Sequence, residues 1–132
     1  MSWNEEVKEL EKRIHLIKQM GGKEKVKRQH DAGRTTVRER IDALVDKNSF
    51  KEIGNLTGTS EYDENGKLIS LVAANSVIGH AKIEKKPAVI YGDDFTIRGG
   101  AADAAIHEKM VVAERFANEY KIPLIRFIEG TG

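Results

Sequence analysis

Apolar positions along the chain change from helical spacing to strand spacing near residue 49. Val7, Leu10, Ile14 and Ile17 form one stripe of a helix predicted over residues 2–20, with Ser2 and Glu5 spaced as a capping box and Gly21-Gly22 ending it. The run KEKVKRQHDAGR that follows has Val26 as its one sizeable apolar residue, so a helix there is a solvated face carrying Lys23, Lys25, Lys27, Arg28 and Arg34. A second capping box, Thr36 with Glu39, opens a short helix with Val37, Ile41, Leu44 and Val45 on its apolar face. Asp46-Lys47-Asn48 stop it.

Residues 49–53 look extended, and 54–66 are mostly Gly, Thr, Ser, Asn and acidic, with Asn65-Gly66 as a tight-turn signal. That stretch reads as a surface excursion. Strands are predicted over 68–73 and 76–83, a reversal at Lys85-Lys86-Pro87, and a buried-type strand over 88–91, so the segments around Pro87 form a hairpin. Beyond Gly100 a helix is predicted to about Tyr120, with Ala104, Ala105, Val111, Val112, Phe116 and Tyr120 near its inner side, followed by a buried strand over 123–128. A helix and a strand after a hairpin imply α/β layers.

Composition narrows the chemistry. The 132 residues fit one domain or part of a larger one, 39% hydrophobic and 33% charged, with Trp3 the single tryptophan. With 22 Lys+Arg against 21 Asp+Glu, the net charge of +1 gives no reason to expect a nucleic-acid or acidic-membrane partner. The lack of cysteine removes disulfides, thiol nucleophiles and Cys-ligated zinc. No apolar leader and no run long enough for a membrane span is visible, which makes a cytoplasmic protein the default expectation.

His15, His30, His80 and His107 have no partner at motif spacing, and His107-Glu108 lacks the second histidine of a metalloprotease helix, so no metal site is proposed. No Gly-x-Ser-x-Gly elbow is present. Asp93-Asp94 lie at a strand end and point to opposite faces, with Asp94 the better candidate for a turn cap. Glu129 reads equally as a catalytic carboxylate, a substrate contact or a turn residue. Gly99-Gly100 stand where the extended run meets the helical pattern, and Gly130-Thr131-Gly132 close the last strand. Each glycine turn serves either a backbone bend needing positive φ or a set of main-chain donors. Two such turns at neighbouring strand ends suit an oxyanion hole.

GRTTVRERIDALVDKNSF and, after an excursion, SVIGHAKIEKKPAVIYGDDFTIRGGAADAAIHEKMVVAERFANEYKIPLIRFIEGTG resemble the N-terminal half of the carboxyltransferase subunit of biotin-dependent acyl-CoA carboxylases. Propionyl-CoA carboxylase beta chains, the transcarboxylase large subunit and sodium-pump decarboxylase subunits are the nearest types. The matching features are RERIDALVD plus SF, Gly79, Pro87, DFT, Gly99-Gly100, Glu108-Lys109, Pro123 and the closing glycine turn. The resemblance implies a crotonase-like ββα superhelix, here incomplete, with residues 1–48 as an N-terminal helical segment and 49–132 as the first part of the acyl-CoA-binding domain. It implies transfer of CO₂ from carboxybiotin, held on a partner biotin carboxyl carrier or biotin carboxylase subunit, to the α-carbon of an acyl-CoA.

By position, Thr131 and Gly132 fall where the family has a Gly-Gly pair donating to the thioester enolate, and Gly99 and Gly100 fall on the turn lining the CoA side. Arg98 stands where the family often has an aromatic, and its guanidinium beside the turn either contacts CoA phosphates or is simply solvated. The family more often has Asp-Ser before its second glycine pair, whereas this chain reads Glu129-Gly130-Thr131-Gly132. Alternatives are an acyl-CoA decarboxylase subunit running the exchange in reverse and a non-catalytic assembly module of the same fold. Family subunits usually run to several hundred residues. The expectations are therefore a fragment or a chain completed by a second one, association into an oligomer, and no turnover by these residues alone.

Overall fold

The computed structural model describes residues 2–101 and 106–130. Helices α1 (Asn4–Lys18), α2 (Lys23–Asp31) and α3 (Val37–Leu44) precede strands β1 (Lys51–Ile53), β2 (Gly58–Tyr62), β3 (Leu68–Ala73), β4 (Ser76–Ile83) and β5 (Lys86–Asp93), then α4 (His107–Tyr120) and β6 (Leu124–Phe127). The main sheet has the order β1-β4-β5-β6. Its first two pairings are antiparallel, and β6 joins β5 in parallel, after the α4 crossover, with Val89 opposite Leu124.

Strand alternation gives the sheet two apolar faces. Val77, Ala81, Ala88 and Ile90 pack with Val37 and Ile41 of α3 on one face, while Ile78, Val89 and Tyr91 pack with Ala113 and Ala117 of α4 on the other. The α/β layering is thus helix, sheet, helix.

Local chemistry explains the helix ends. The Thr36 hydroxyl accepts from the Glu39 N–H at 3.3 Å and the Glu39 carboxylate accepts from the Thr36 N–H at 2.8 Å, so the expected capping box is complete. Ser2 forms none. The α1 cap falls on Trp3, and the Ser2 hydroxyl accepts instead from the Asn4 N–H at 3.2 Å, because the helix starts too late for Ser2 to reach its third turn residue.

Several other expectations change. The 54–66 excursion contains β2, which pairs with β3 as a separate two-stranded ribbon on which α1 packs. Alternation of small polar residues hid that strand. The reversal lies at Glu84-Lys85, both at positive φ, with their N–H groups held by the Asp46 carboxylate at 2.9 and 2.7 Å. Pro87 is a strand residue opposite Lys82. The last helix begins at His107, and its buried stripe is Lys109, Ala113 and Ala117, whereas Val112 and Tyr120 are exposed. Alanines let α4 approach the sheet closely, which decides the face. Ala104 and Ala105 lie outside the described residues. Strand β6 is half-buried, not buried. Among the described residues no helix is long and apolar enough to cross a membrane.

Candidate functional site

The end of β5 carries the site. Asp94, 1% exposed, accepts from the Thr96 N–H at 2.9 Å and from the Thr96 hydroxyl at 2.5 Å, the side-chain turn expected of it. Burial pushes its carboxyl up from the ordinary value, and the two Thr96 hydrogen bonds oppose that. Thr96 Oγ1 in turn accepts from the Gly21 N–H at 2.9 Å, and a Cβ at Gly21 would overlap the Thr96 carbonyl. That close approach docks the junction between α1 and α2 onto the turn. It lays the charged face of α2 beside Phe95.

Lys25, Arg28, Arg34 and Arg98 consequently line a cavity of about 350 Å³ with Phe95, Gln29 and Gly99. The Arg34 guanidinium lies 5.5 Å over the Phe95 ring centroid. Among the described residues lining this cavity there is no carboxylate. Lys25 and Arg98 also belong to the wall of a neighbouring cavity of about 590 Å³, whose apolar lining includes Leu16, Met20, Leu71, Ile97 and Ile106. A cationic, aromatic half thus adjoins a half with an apolar wall.

Arg98, Gly99 and Gly100 all take positive φ, of 50°, 61° and 69°. They form a tight left-handed turn closed by Gly100 N–H to Ile97 O at 3.1 Å and Ala101 N–H to Arg98 O at 3.1 Å. The Asn75 amide, itself buried, donates to Ala101 O at 2.7 Å and pins the exit of the turn. Gly99-Gly100 therefore do not open the long helix as expected. The helix N-terminus lies at His107, capped by no side chain, so its free N–H groups belong to a different segment.

Across from this turn, the chain leaving β6 brings Glu129 and Gly130. A Cβ on Gly100 would overlap the Glu129 carbonyl and lie 3.4 Å from Gly130 Cα. The Glu129 N–H donates to Asp93 Oδ2 at 3.0 Å. Glu129 Oε1 accepts from Gln29 Nε2 at 3.0 Å and from Arg40 Nη2 at 3.1 Å, and Arg40 Nη1 stands 3.0 Å from Oε2 as a charge contact off the hydrogen-bond angle. The Gly99-Gly100 turn thus meets Glu129 and Gly130 at the exit of β6. Thr131 and Gly132 lie outside the described residues.

Residues 28–132 match the family described as the carboxyl transferase domain. The chain belongs to the carboxyl transferase family. It is 28% identical over its whole length to the carboxyltransferase subunit of propionyl-CoA carboxylase of Haloferax mediterranei, spanning 26% of that protein. It is 27% identical over 97% of its length to methylmalonyl-CoA decarboxylase subunit alpha of Veillonella parvula, of which it spans 25%. The structure of transcarboxylase 12S, a hexamer with methylmalonyl-CoA and methylmalonic acid bound, superposes with a TM-score of 0.84 at 27% identity, over 100% of this chain and 26% of that one. This carboxyl transferase chain has the crotonase-like fold and spans about a quarter of the length of the relatives it matches.

Three residues of the site carried no role in the sequence. Gln29 is a lone amide in a run of charges, Asn75 a lone amide between two strands, and Arg40 part of the RERI motif. Their signal is spatial: each is bonded to a residue at least 26 positions away.

Proposed function

We propose that these residues form the acyl-CoA side of a biotin-dependent carboxyltransferase and hold the thioester of the substrate between the two glycine turns. The observation that carries the reading is the contact of Gly100 with Glu129 and Gly130 beside a cavity lined by cations and Phe95. The cations of α2 with Arg34, all within residues 1–48, supply the phosphate-facing wall, and residues 49–132 supply Phe95, Arg98 and the turns. Guanidinium and ammonium groups suit the 3′-phosphate and diphosphate of CoA, and an aromatic face suits its adenine.

At the thioester the reading assigns Gly99 and Gly100 to the CoA side and Thr131-Gly132 to the carbonyl oxygen. Main-chain donors there would favour the enolate over the ground-state carbonyl, because negative charge on that oxygen grows as the α-proton leaves. Carboxybiotin on a carrier partner is the carboxyl donor of this reading. The decarboxylase relative from Veillonella parvula supports the same site running in the opposite direction.

Calorimetric titration of the chain with CoA and with 3′-dephospho-CoA tests the reading. Binding of CoA that weakens with salt and with loss of the 3′-phosphate is the expected result. Absence of binding to either compound, with the chain folded, overturns it.

A further inference from the structure

Glu129 is held through its N–H, its carbonyl and its carboxylate Oε1, and the carboxylate's partners lie far from the strand ends. Its N–H goes to Asp93 at the end of β5, its carbonyl lies against Gly100, and its carboxylate is held by Gln29 of α2 and Arg40 of α3, 100 and 89 residues earlier in the chain. Gln29 is 5% exposed, and the side chains of Arg40 and Glu129 are 28% and 15% exposed. A carboxylate that shielded needs its partners, and the partners it has come from the helical segment, not from the sheet.

We propose that Arg40 and Gln29 are positioning residues, which clamp the Glu129 carboxylate and so keep the segment entering the closing glycine turn pressed on Gly100. Gly130 itself is exposed, and the residue before it is the point at which the turn is anchored. Without the clamp, the β6 exit retains only the Asp93 hydrogen bond and the contact with Gly100. Both are then free to open by rotation about Glu129. The helices that line the cation-rich cavity therefore also set the distance between the two turns. The consequence for catalysis rests on the functional reading above, but the clamp itself does not.

Amide hydrogen exchange on the chain, carrying Arg40→Met, Arg40→Lys or Gln29→Met, tests the clamp. In Arg40→Met the Glu129 amide, bonded to Asp93, is expected to exchange about tenfold faster, while Val89 and Ile90 in β5 keep their protection. Arg40→Lys, which retains a charge but not the two-pronged geometry, is expected to recover part of the protection. Unchanged exchange at the Glu129 amide overturns the clamp. Should Arg40→Met loosen β5 as well, Gln29→Met decides, since it removes one donor and no charge: selective loosening at Glu129 supports the clamp and its absence overturns it.

The α-proton exchange of propionyl-CoA in the native assembly containing this chain separates the two readings. A slower exchange in Arg40→Met at unchanged KM is expected. Loosening at Glu129 with undiminished α-proton exchange leaves the clamp standing and overturns the assignment of the turn to the enolate.

Discussion

Gly100 lies so close to the carbonyl of Glu129 that no Cβ fits between them. The contact joins the loop after β5 to the exit of β6. Gly100 also holds φ at +69°. Gly100→Ala therefore meets a backbone clash and a left-handed strain together, and we expect a loss of about 2–4 kcal/mol in denaturant unfolding. Gly33 provides the control, because its φ is +74° and a Cβ there meets nothing within 4 Å. Gly33→Ala should cost only about 1 kcal/mol, the strain alone. Equal losses at the two positions would show that the contact with Glu129 contributes nothing.

The cations around Phe95 make a second expectation. Arg34 and Lys25 line the cavity from the helical segment, one stacked over the ring and one at the wall shared with the neighbouring cavity. Arg34→Ala and Lys25→Ala should each weaken CoA binding by about tenfold at low salt, with little change in unfolding midpoint. The loss should shrink in 1 M salt, where screening already suppresses the attraction. Calorimetric titration at two ionic strengths measures both, and a salt-independent loss would point to packing by the side-chain stems.

How much of this was legible in the sequence depended on range. Thr36 and Glu39 sit three apart and act on the same helix, so their pattern told the truth. The same spacing at Ser2 and Glu5 failed, since a helix start is also set by what the chain packs against. Val89 and Ile90 were readable as a buried strand because both faces of the sheet are covered, while β2 was not, its Gly, Thr, Ser and Glu residues having nothing to alternate against. At the site, Gly99-Gly100 was visible as a turn. Its meeting with Glu129 through Gly100, and the bonds of Gln29 and Arg40, were not, because partners 89 or 100 positions apart leave no local signal. The helix start expected just beyond Gly100 lies instead at His107, after an extended Ile106, a break that the apolar period does not register.

The capping box of α3 gives a stability test that does not depend on CoA binding. Thr36 is 2% exposed, and Thr36→Ala removes the acceptor for the Glu39 N–H, so a loss of about 1 kcal/mol is expected. Glu39 is held below the ordinary carboxylate range chiefly by the Thr36 N–H. Its contribution is present above the unfolded pKa and fades as pH falls through the folded one. Glu39→Gln should accordingly flatten part of the acid limb of the unfolding curve. An acid limb identical to that of the parent chain would remove Glu39 from the account.

Lys109 gives the opposite pH signature. The residue is 7% exposed in the first turn of α4, and its ammonium donates to Ser76 O at 2.6 Å and faces the Arg38–Glu52 pair, whose two hydrogen bonds measure 2.8 and 2.9 Å. Burial lowers its pKa from 10.5 to about 8, against the attraction of Glu52. Below pH 8 the lysine is protonated in both folded and unfolded chains, and the cost of burying the charge is fully felt. Between about 8 and 10.5 the unfolded chain binds the proton that the folded chain has released, so stability from this group rises with pH. The full span is on the order of 3 kcal/mol. Lys109→Met should remove that rise and leave the chain at least as stable at pH 7, since a thioether of similar length fills the same space without a charge. Unfolding midpoints of the two chains measured from pH 7 to pH 10.5 should converge as pH rises. Parallel curves would mean that Lys109 titrates as an exposed lysine does.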